Sequence, residues 1–170
     1  MKKIIVIGCP GSGKSTFSRA LRKITEIPLY HLDLLFWNED KTTVEKSVFL
    51  DRLSKIIEED EWIIDGNYNS TMELRIEKCD TVIFLDYPLE VCLNGIKERK
   101  GKTRSDMPWI EGDEDDAEFI EFIKNYNSQS RPKVVELLNR YSHKDIYVFK
   151  DRIQADEFLN RMLLTKITLN

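Results

Sequence analysis

The stretch KIIVIGCPGSGKST, Lys3 to Thr16, decides the fold. Ile4-Ile5-Val6-Ile7 is a continuous apolar run, the mark of a strand buried on both faces as central parallel strands are. From Gly13 the spacing turns helical, with Phe17, Ala20, Leu21 and Ile24 at i, i+3, i+4 and i+7, until Pro28 stops it. The loop between them is glycine-rich, so its backbone is free to turn several N–H groups toward one anion, and the helix N-terminus adds its partial positive charge. Gly8-x-x-x-x-Gly13-Lys14-Ser15 is the Walker A pattern in the context its mechanism requires, after a buried strand and opening a helix. Gly8, Gly11, Ser12, Gly13, Lys14, Ser15 and Thr16 are therefore expected to cradle a nucleoside triphosphate, ATP. Lys14 would reach the β- and γ-phosphates and Ser15 would offer its hydroxyl to Mg²⁺.

Working outward, a chain of 170 residues has room for one domain with a full core. A net charge of -4 excludes a global basic field, so direct nucleic-acid binding is not expected. Cys9, Cys79 and Cys92 are odd in number and lack C-x-x-C spacing, which argues against a disulfide framework or zinc site and for reduced thiols in a cytoplasm. Met1-Lys2-Lys3 before the apolar run looks superficially like a signal peptide. Four apolar residues are too few for an h-region of about 7–15, and no segment reaches membrane-spanning length. A cytoplasmic monomer or weak dimer is expected.

The rhythm of strand and helix then repeats. Strands are predicted at Lys3 to Ile7, Ile27 to His31, Trp62 to Asp65, Asp80 to Asp86 and Asp145 to Phe149. A helix over Thr43 to Asp60 would turn Val48, Phe49, Leu53, Ile56 and Ile57 inward. Pro88 suits the first turn of a helix reaching Arg99, and further helices are predicted near Ala117 to Asn127, near Pro132 to Tyr141 and from Gln154. Lys100 to Asp116 is polar without a period and reads as a long loop or lid. Alternating strands and helices imply an α/β fold, a five-stranded parallel sheet covered on both faces, with residues 1–170 as a single domain.

In such a sheet the ligand crevice lies at the C-terminal strand ends. Asp33, Asp65 and Asp86 each end or just follow an apolar strand. Asp65, before the Gly66 turn, is the candidate for the Mg²⁺ hydration shell. Asp33 is the candidate to orient, or take a proton from, an acceptor hydroxyl. Helix capping is the competing reading for both Asp33 and Asp86. Among the lesser features, Glu111 to Asp116 packs five carboxylates into six positions and reads as a solvated lid edge, because it lacks the order of a calcium loop. His31 and His143 have no partner at ligand spacing, and Trp37, Trp62 and Trp109 read as core or lid packing. Cys9 sits inside the anion nest, a setting able to lower a thiol pKa, and its default reading is a small loop residue.

GCPGSGKST at 8 to 16, HLDLLFW at 31 to 37, WIIDGNY at 62 to 68, DTVIFLDYPLEVCL at 80 to 93, RSDMPWIEGD at 104 to 113 and SRPKVVELL at 130 to 138 together resemble the adenylate kinase-like P-loop kinases, and among them the topology modulation (FlaR-like) proteins. The resemblance implies sheet order 2-3-1-4-5, as in nucleoside monophosphate kinases, an acceptor-binding insertion at about 33–61 and a helical, arginine-bearing lid at about 99–131. It puts Asp65 in the Walker B position beside Ser15 as metal residues. It makes Arg99, Arg104 and Arg131 candidate lid arginines acting with Lys14 and Asp33 in catalysis, and builds the acceptor side from Asp33, Trp37, Gly66, Tyr68 and Arg75. Two departures stand out. Gly95 lies where adenylate kinases carry an arginine that stacks on the donor base, and no arginine lies between Arg22 and Arg52, where an acceptor phosphate is usually met. The HLD aspartate is similar instead to the acceptor-binding aspartate of shikimate and gluconate kinases.

The resulting expectation is an ATP- and Mg²⁺-dependent phosphotransferase acting on a nucleotide or a hydroxylated metabolite. A nucleotide-binding regulator associated with DNA topology is the alternative, and a hydrolytic switch without an acceptor is the third reading.

Overall fold

The computed structural model describes residues 1–109 and 117–169. In chain order they form β1 (Lys3–Gly8), α1 (Lys14–Thr25), β2 (Leu29–His31), α2 (Leu32–Phe36), α3 (Lys46–Ile57), β3 (Trp62–Asp65) and α4 (Asn69–Lys78). There follow β4 (Thr81–Leu85), α5 (Leu89–Arg99), α6 (Ala117–Lys124), α7 (Tyr126–Gln129), α8 (Arg131–Arg140), β5 (Asp145–Phe149) and α9 (Arg152–Leu169). The five strands make one parallel sheet in the order β2-β3-β1-β4-β5, as expected.

Side-chain alternation along β1 explains why it lies at the centre. Ile4 and Val6 join one core with Phe17, Leu21, Cys92 and Phe158, while Ile5 and Ile7 join the opposite core with Leu53, Trp62, Ile76 and Leu138. With apolar demands on both faces, only a strand covered by helices on each side satisfies the sequence. β3 and β4 are buried at every residue for the same reason, whereas β5, at the edge, leaves Asp145 and Val148 exposed.

Several elements differ from the sequence expectation. α2 begins on the residue after β2 with no intervening loop, and α4 follows the Gly66 turn. α4 buries Thr71, Met72, Arg75 and Ile76, a stripe half polar in composition and therefore silent to a search for apolar periodicity. α3 starts at Lys46, and Val48, expected inward, is 40% exposed; Phe49, Leu53, Ile56 and Ile57 do face the core. The helix expected from Ala117 to Asn127 breaks at Asn125 into α6 and α7. Residues 100–109 carry no helix or strand, and the acidic run from Glu111 to Asp116 lies outside the described residues. Among the described residues no helix is long and apolar enough to cross a membrane.

Candidate active site

The glycine loop closes at the mouth of β1. Gly13 sits at φ 90°, and a Cβ built there would meet nothing within 4 Å, so this side of the loop is an open cradle. On the other side contact is tight: a Cβ on Gly11 would lie 2.0 Å from the Cys92 carbonyl oxygen, and one on Gly95 would lie 2.1 Å from the Gly11 carbonyl oxygen. α5 is thus seated directly on the loop, which is the physical reason that position 95 has no side chain. The ammonium of Lys14 donates to the Gly8 and Cys9 carbonyls at 2.9 and 3.2 Å. Burial lowers its pKa, and the nearby Arg99 adds to that, while the carboxylates of Asp33 and Asp65 pull the other way.

Asn67, missed in the sequence although it lies within WIIDGNY, fastens the loop to the β3 turn. Its Nδ2 donates to the Gly8 carbonyl at 2.8 Å and its Oδ1 accepts from the Gly8 N–H at 3.1 Å. Asp65, at the end of β3, is 4% exposed and pairs through Oδ1 with His31 Nδ1 at 2.8 Å. Its Oδ2 is buried with no hydrogen-bond partner in the protein, as is Ser12 Oγ inside the loop. A buried oxygen left so is costly unless a ligand meets it. A carboxylate oxygen and a serine hydroxyl are hard donors of the kind Mg²⁺ takes, so the two buried oxygens of Asp65 and Ser12 fit a triphosphate and its cation.

Asp33 lies in the first turn of α2. The N-cap of that helix is His31, which makes no capping bond, and α5 is likewise capped by neither Asp86 nor any other side chain. Asp33 Oδ1 instead accepts from the Tyr68 hydroxyl at 2.7 Å. Burial raises the Asp33 pKa; the Tyr68 hydrogen bond and Lys14 oppose the rise, and Asp65 and Asp106 add to it. Trp37 meets the ring of Phe36 at 5.2 Å and that of Trp109 at 5.5 Å, and Phe36 stands 5.0 Å from Tyr68, so the ring whose hydroxyl reaches Asp33 belongs to an aromatic cluster. Gly66, at φ 124°, makes the turn that brings Tyr68 here.

Arg75 requires a correction. Expected as an anion-binding guanidinium on the acceptor side, it is fully buried, and its donors are taken by backbone carbonyls. Nη1 donates to Gly66 at 2.9 Å, Nη2 to Asn67 and, at 3.3 Å, to Tyr68, and Nε to Thr71 at 3.3 Å. Burial pulls its pKa down to about 10. Arg75 holds the shape of the 66–68 turn. At Cys9 the neighbouring Cys92 thiol and burial push the thiol pKa up, in keeping with a small loop residue and against an activated thiol.

The lid arginines occupy different settings. Arg99, at the end of α5, lies over the Phe119 ring with its guanidinium carbon 5.6 Å from the centroid. Arg104 pairs with Asp106, a lid carboxylate not singled out in the sequence, and Arg19 of α1 reaches the same group at 3.4 Å. Arg131 grips Asp86 with two bonds of 2.7 Å, and Lys150 binds the same carboxylate. Only the fixed fork of a guanidinium makes that paired contact.

No protein-family model matches the chain, and no curated protein matches it in sequence. Solved structures do. Shikimate kinase from Bacteroides thetaiotaomicron superposes with a TM-score of 0.59 at 19% identity, covering 94% of each chain. Shikimate kinase from Acinetobacter baumannii, solved in complex with shikimate, gives 0.61 at 15% identity over 98% of this chain and 95% of that one. The Aquifex aeolicus enzyme gives 0.56 at 21% over 95% and 94%. The chain therefore has the three-layer P-loop fold of these kinases across nearly its whole length.

Proposed function

We propose that this chain is a phosphotransferase that moves the γ-phosphoryl group of ATP to a small-molecule acceptor, a nucleotide or a hydroxylated metabolite. The observation that carries the reading is the meeting of a donor cradle with an acceptor base: the turn that Asn67 ties to Gly8 of the glycine loop also brings the Tyr68 hydroxyl to the Asp33 carboxylate. The fold of the shikimate kinases supports it, and the motifs shared with the topology modulation proteins extend it within the adenylate kinase-like group.

Bound Mg²⁺-ATP would supply the activated phosphoryl group, with Ser15 and Asp65 holding the cation and the 8–16 loop the phosphates. Asp33 would orient the acceptor hydroxyl and take its proton as the new oxygen–phosphorus bond forms and the bond to the leaving ADP breaks. Lys14, Arg99 and Arg104 would neutralise charge gathering on the transferring group. Arg131 would join them only by exchanging Asp86 for a phosphate oxygen. The acceptor side comprises Asp33, Trp37, Gly66 and Tyr68 within the insertion and the turn, and closure of the 99–131 lid would exclude water. A hydroxyl acceptor is preferred, because Arg75 is engaged by the backbone. The three free, buried thiols suit a cytoplasmic protein.

The test is ADP release measured against hydroxylated metabolites, nucleosides and nucleoside monophosphates, with wild type and Lys14→Ala in parallel. Stimulation by one class in wild type, falling by about 10²–10³ in Lys14→Ala, is expected. Unchanged turnover in the variant overturns the proposal, and stimulation by monophosphates alone overturns the preference for a hydroxyl.

A further inference from the structure

The carboxylate assigned to the cation is itself held by a side chain with no part in the transfer step. His31 ends β2, Asp65 ends β3, and the two are partners in the parallel register. Two residues earlier Leu29 and Ile63 are partners as well, and both pack in the core that Phe17 and Leu21 of α1 cover. Alternation therefore turns His31 and Asp65 toward α1, the helix whose first turn carries Lys14 and Ser15. There His31 Nδ1 lies 2.8 Å from Asp65 Oδ1, with both side chains buried, while Asp65 Oδ2 meets no donor.

A carboxylate that holds a cation is ionised and only accepts hydrogen bonds, so the proton between the two side chains belongs to Nδ1. The last torsion of an aspartate is a soft one, and the bond from His31 restrains it. It also gives the two oxygens different tasks, Oδ1 to the imidazole and Oδ2 to whatever else enters the site. The imidazole is well placed to impose this. His31 is held by the β2–β3 ladder on one side and serves as the N-cap residue of α2 on the other, so its backbone has little freedom. A pair that only braced the sheet would have no reason to leave one buried oxygen unmet.

We propose that His31 is a positioning residue for the divalent cation: donating from Nδ1 to Asp65 Oδ1, it sets the carboxylate so that Oδ2 serves the metal or its water shell. The inference rests on the phosphotransferase reading, since it takes Asp65 as a residue that holds Mg²⁺. His31 acts only through Asp65, so its effect on the metal must vanish once Asp65 no longer serves.

The experiment measures the affinity of the full chain for a non-hydrolysable ATP analogue, with Mg²⁺ and with chelator, by tryptophan fluorescence. Mn²⁺ in place of Mg²⁺ gives a second readout by paramagnetic resonance. The chains compared are wild type, His31→Gln, His31→Asn, Asp65→Asn and the double variant His31→Gln with Asp65→Asn. In His31→Gln, whose amide lies one bond too far out, the tightening by metal should shrink by about 10- to 100-fold, the usual effect of removing a partner that orients a metal ligand. Affinity for metal-free nucleotide should hold. His31→Asn keeps an N–H donor as many bonds from the main chain as Nδ1 and should recover most of the tightening. With Asp65→Asn already in place, His31→Gln should cost nothing further, the mark of one residue acting through the other. His31→Ala replaces the glutamine variant if that one does not fold. No loss in His31→Gln, equal loss with and without metal, full metal tightening in Asp65→Asn, or additive losses in the double variant each overturn the inference. Wild type that binds no nucleotide at all defeats the phosphotransferase reading instead.

Discussion

Replacing Arg75 separates the role the structure gives it from the one expected for an acceptor-side arginine. In Arg75→Ala the carbonyls of Gly66, Asn67 and Tyr68 lose the guanidinium that binds them. A buried carbonyl left without a donor costs about 1–3 kcal/mol. The Tyr68 carbonyl keeps the Thr71 N–H and hydroxyl, so the two groups of Gly66 and Asn67, partly relieved by relaxation of the turn, amount to roughly 2–4 kcal/mol, a large share of the roughly 5–15 kcal/mol that holds a domain together. With a urea slope of about 2 kcal/mol per molar, the unfolding midpoint should fall by roughly 1–2 M. Arg75→Lys should fall between, because an ammonium is a point donor without the planar fork. Urea unfolding followed by tryptophan fluorescence, beside the acceptor KM, decides the matter. A midpoint unchanged from wild type together with a large rise in KM would refute the reasoning and restore Arg75 as an anion receptor.

Two further outcomes follow from the site. Tyr68→Phe removes a hydrogen bond that favours ionised Asp33, so the Asp33 pKa, already raised by burial, rises further. The acid limb of kcat/KM, where the base must be ionised, should move to higher pH, and a limb that stays in place or moves lower argues against Asp33 as the base. Gly95→Ala puts a Cβ 2.1 Å from the Gly11 carbonyl oxygen, so α5 or the loop must give way. A loss of about 1–3 kcal/mol in thermal unfolding, with weaker nucleotide binding, is expected; wild-type values in both would show the contact to be soft.

The sheet and the P-loop were legible because their signals are local. A continuous apolar run on β1 admits little but a central strand, and a glycine loop opening a helix carries its own mechanism. The strand order came from the resemblance of motifs, and the sheet follows it. What escaped depends on contacts between distant residues. α4 was hidden because Thr71 and Arg75 make up half of its buried face. Whether an arginine meets a ligand or the backbone is decided by the turn it faces, here set by positive φ at Gly66 and Tyr68, and no pattern around Arg75 announces that. Asp106 was one acidic residue in an aperiodic polar stretch, while its partner Arg19 is 87 positions away. Cys9 was read from its loop alone, and Cys92, the neighbour that helps raise its pKa, belongs to α5.

The two bonds between Asn67 and Gly8 bear on the timing of events as well as on their geometry. Arg75 holds the Asn67 carbonyl from below while the Asn67 amide holds both backbone groups of Gly8 from above. The loop is thereby stiffened by folding itself, so little ordering of its backbone is left for nucleotide capture. Capture on the donor side should then run at the pace of diffusion and desolvation, and any slow step in the cycle falls to the segment that carries Asp106.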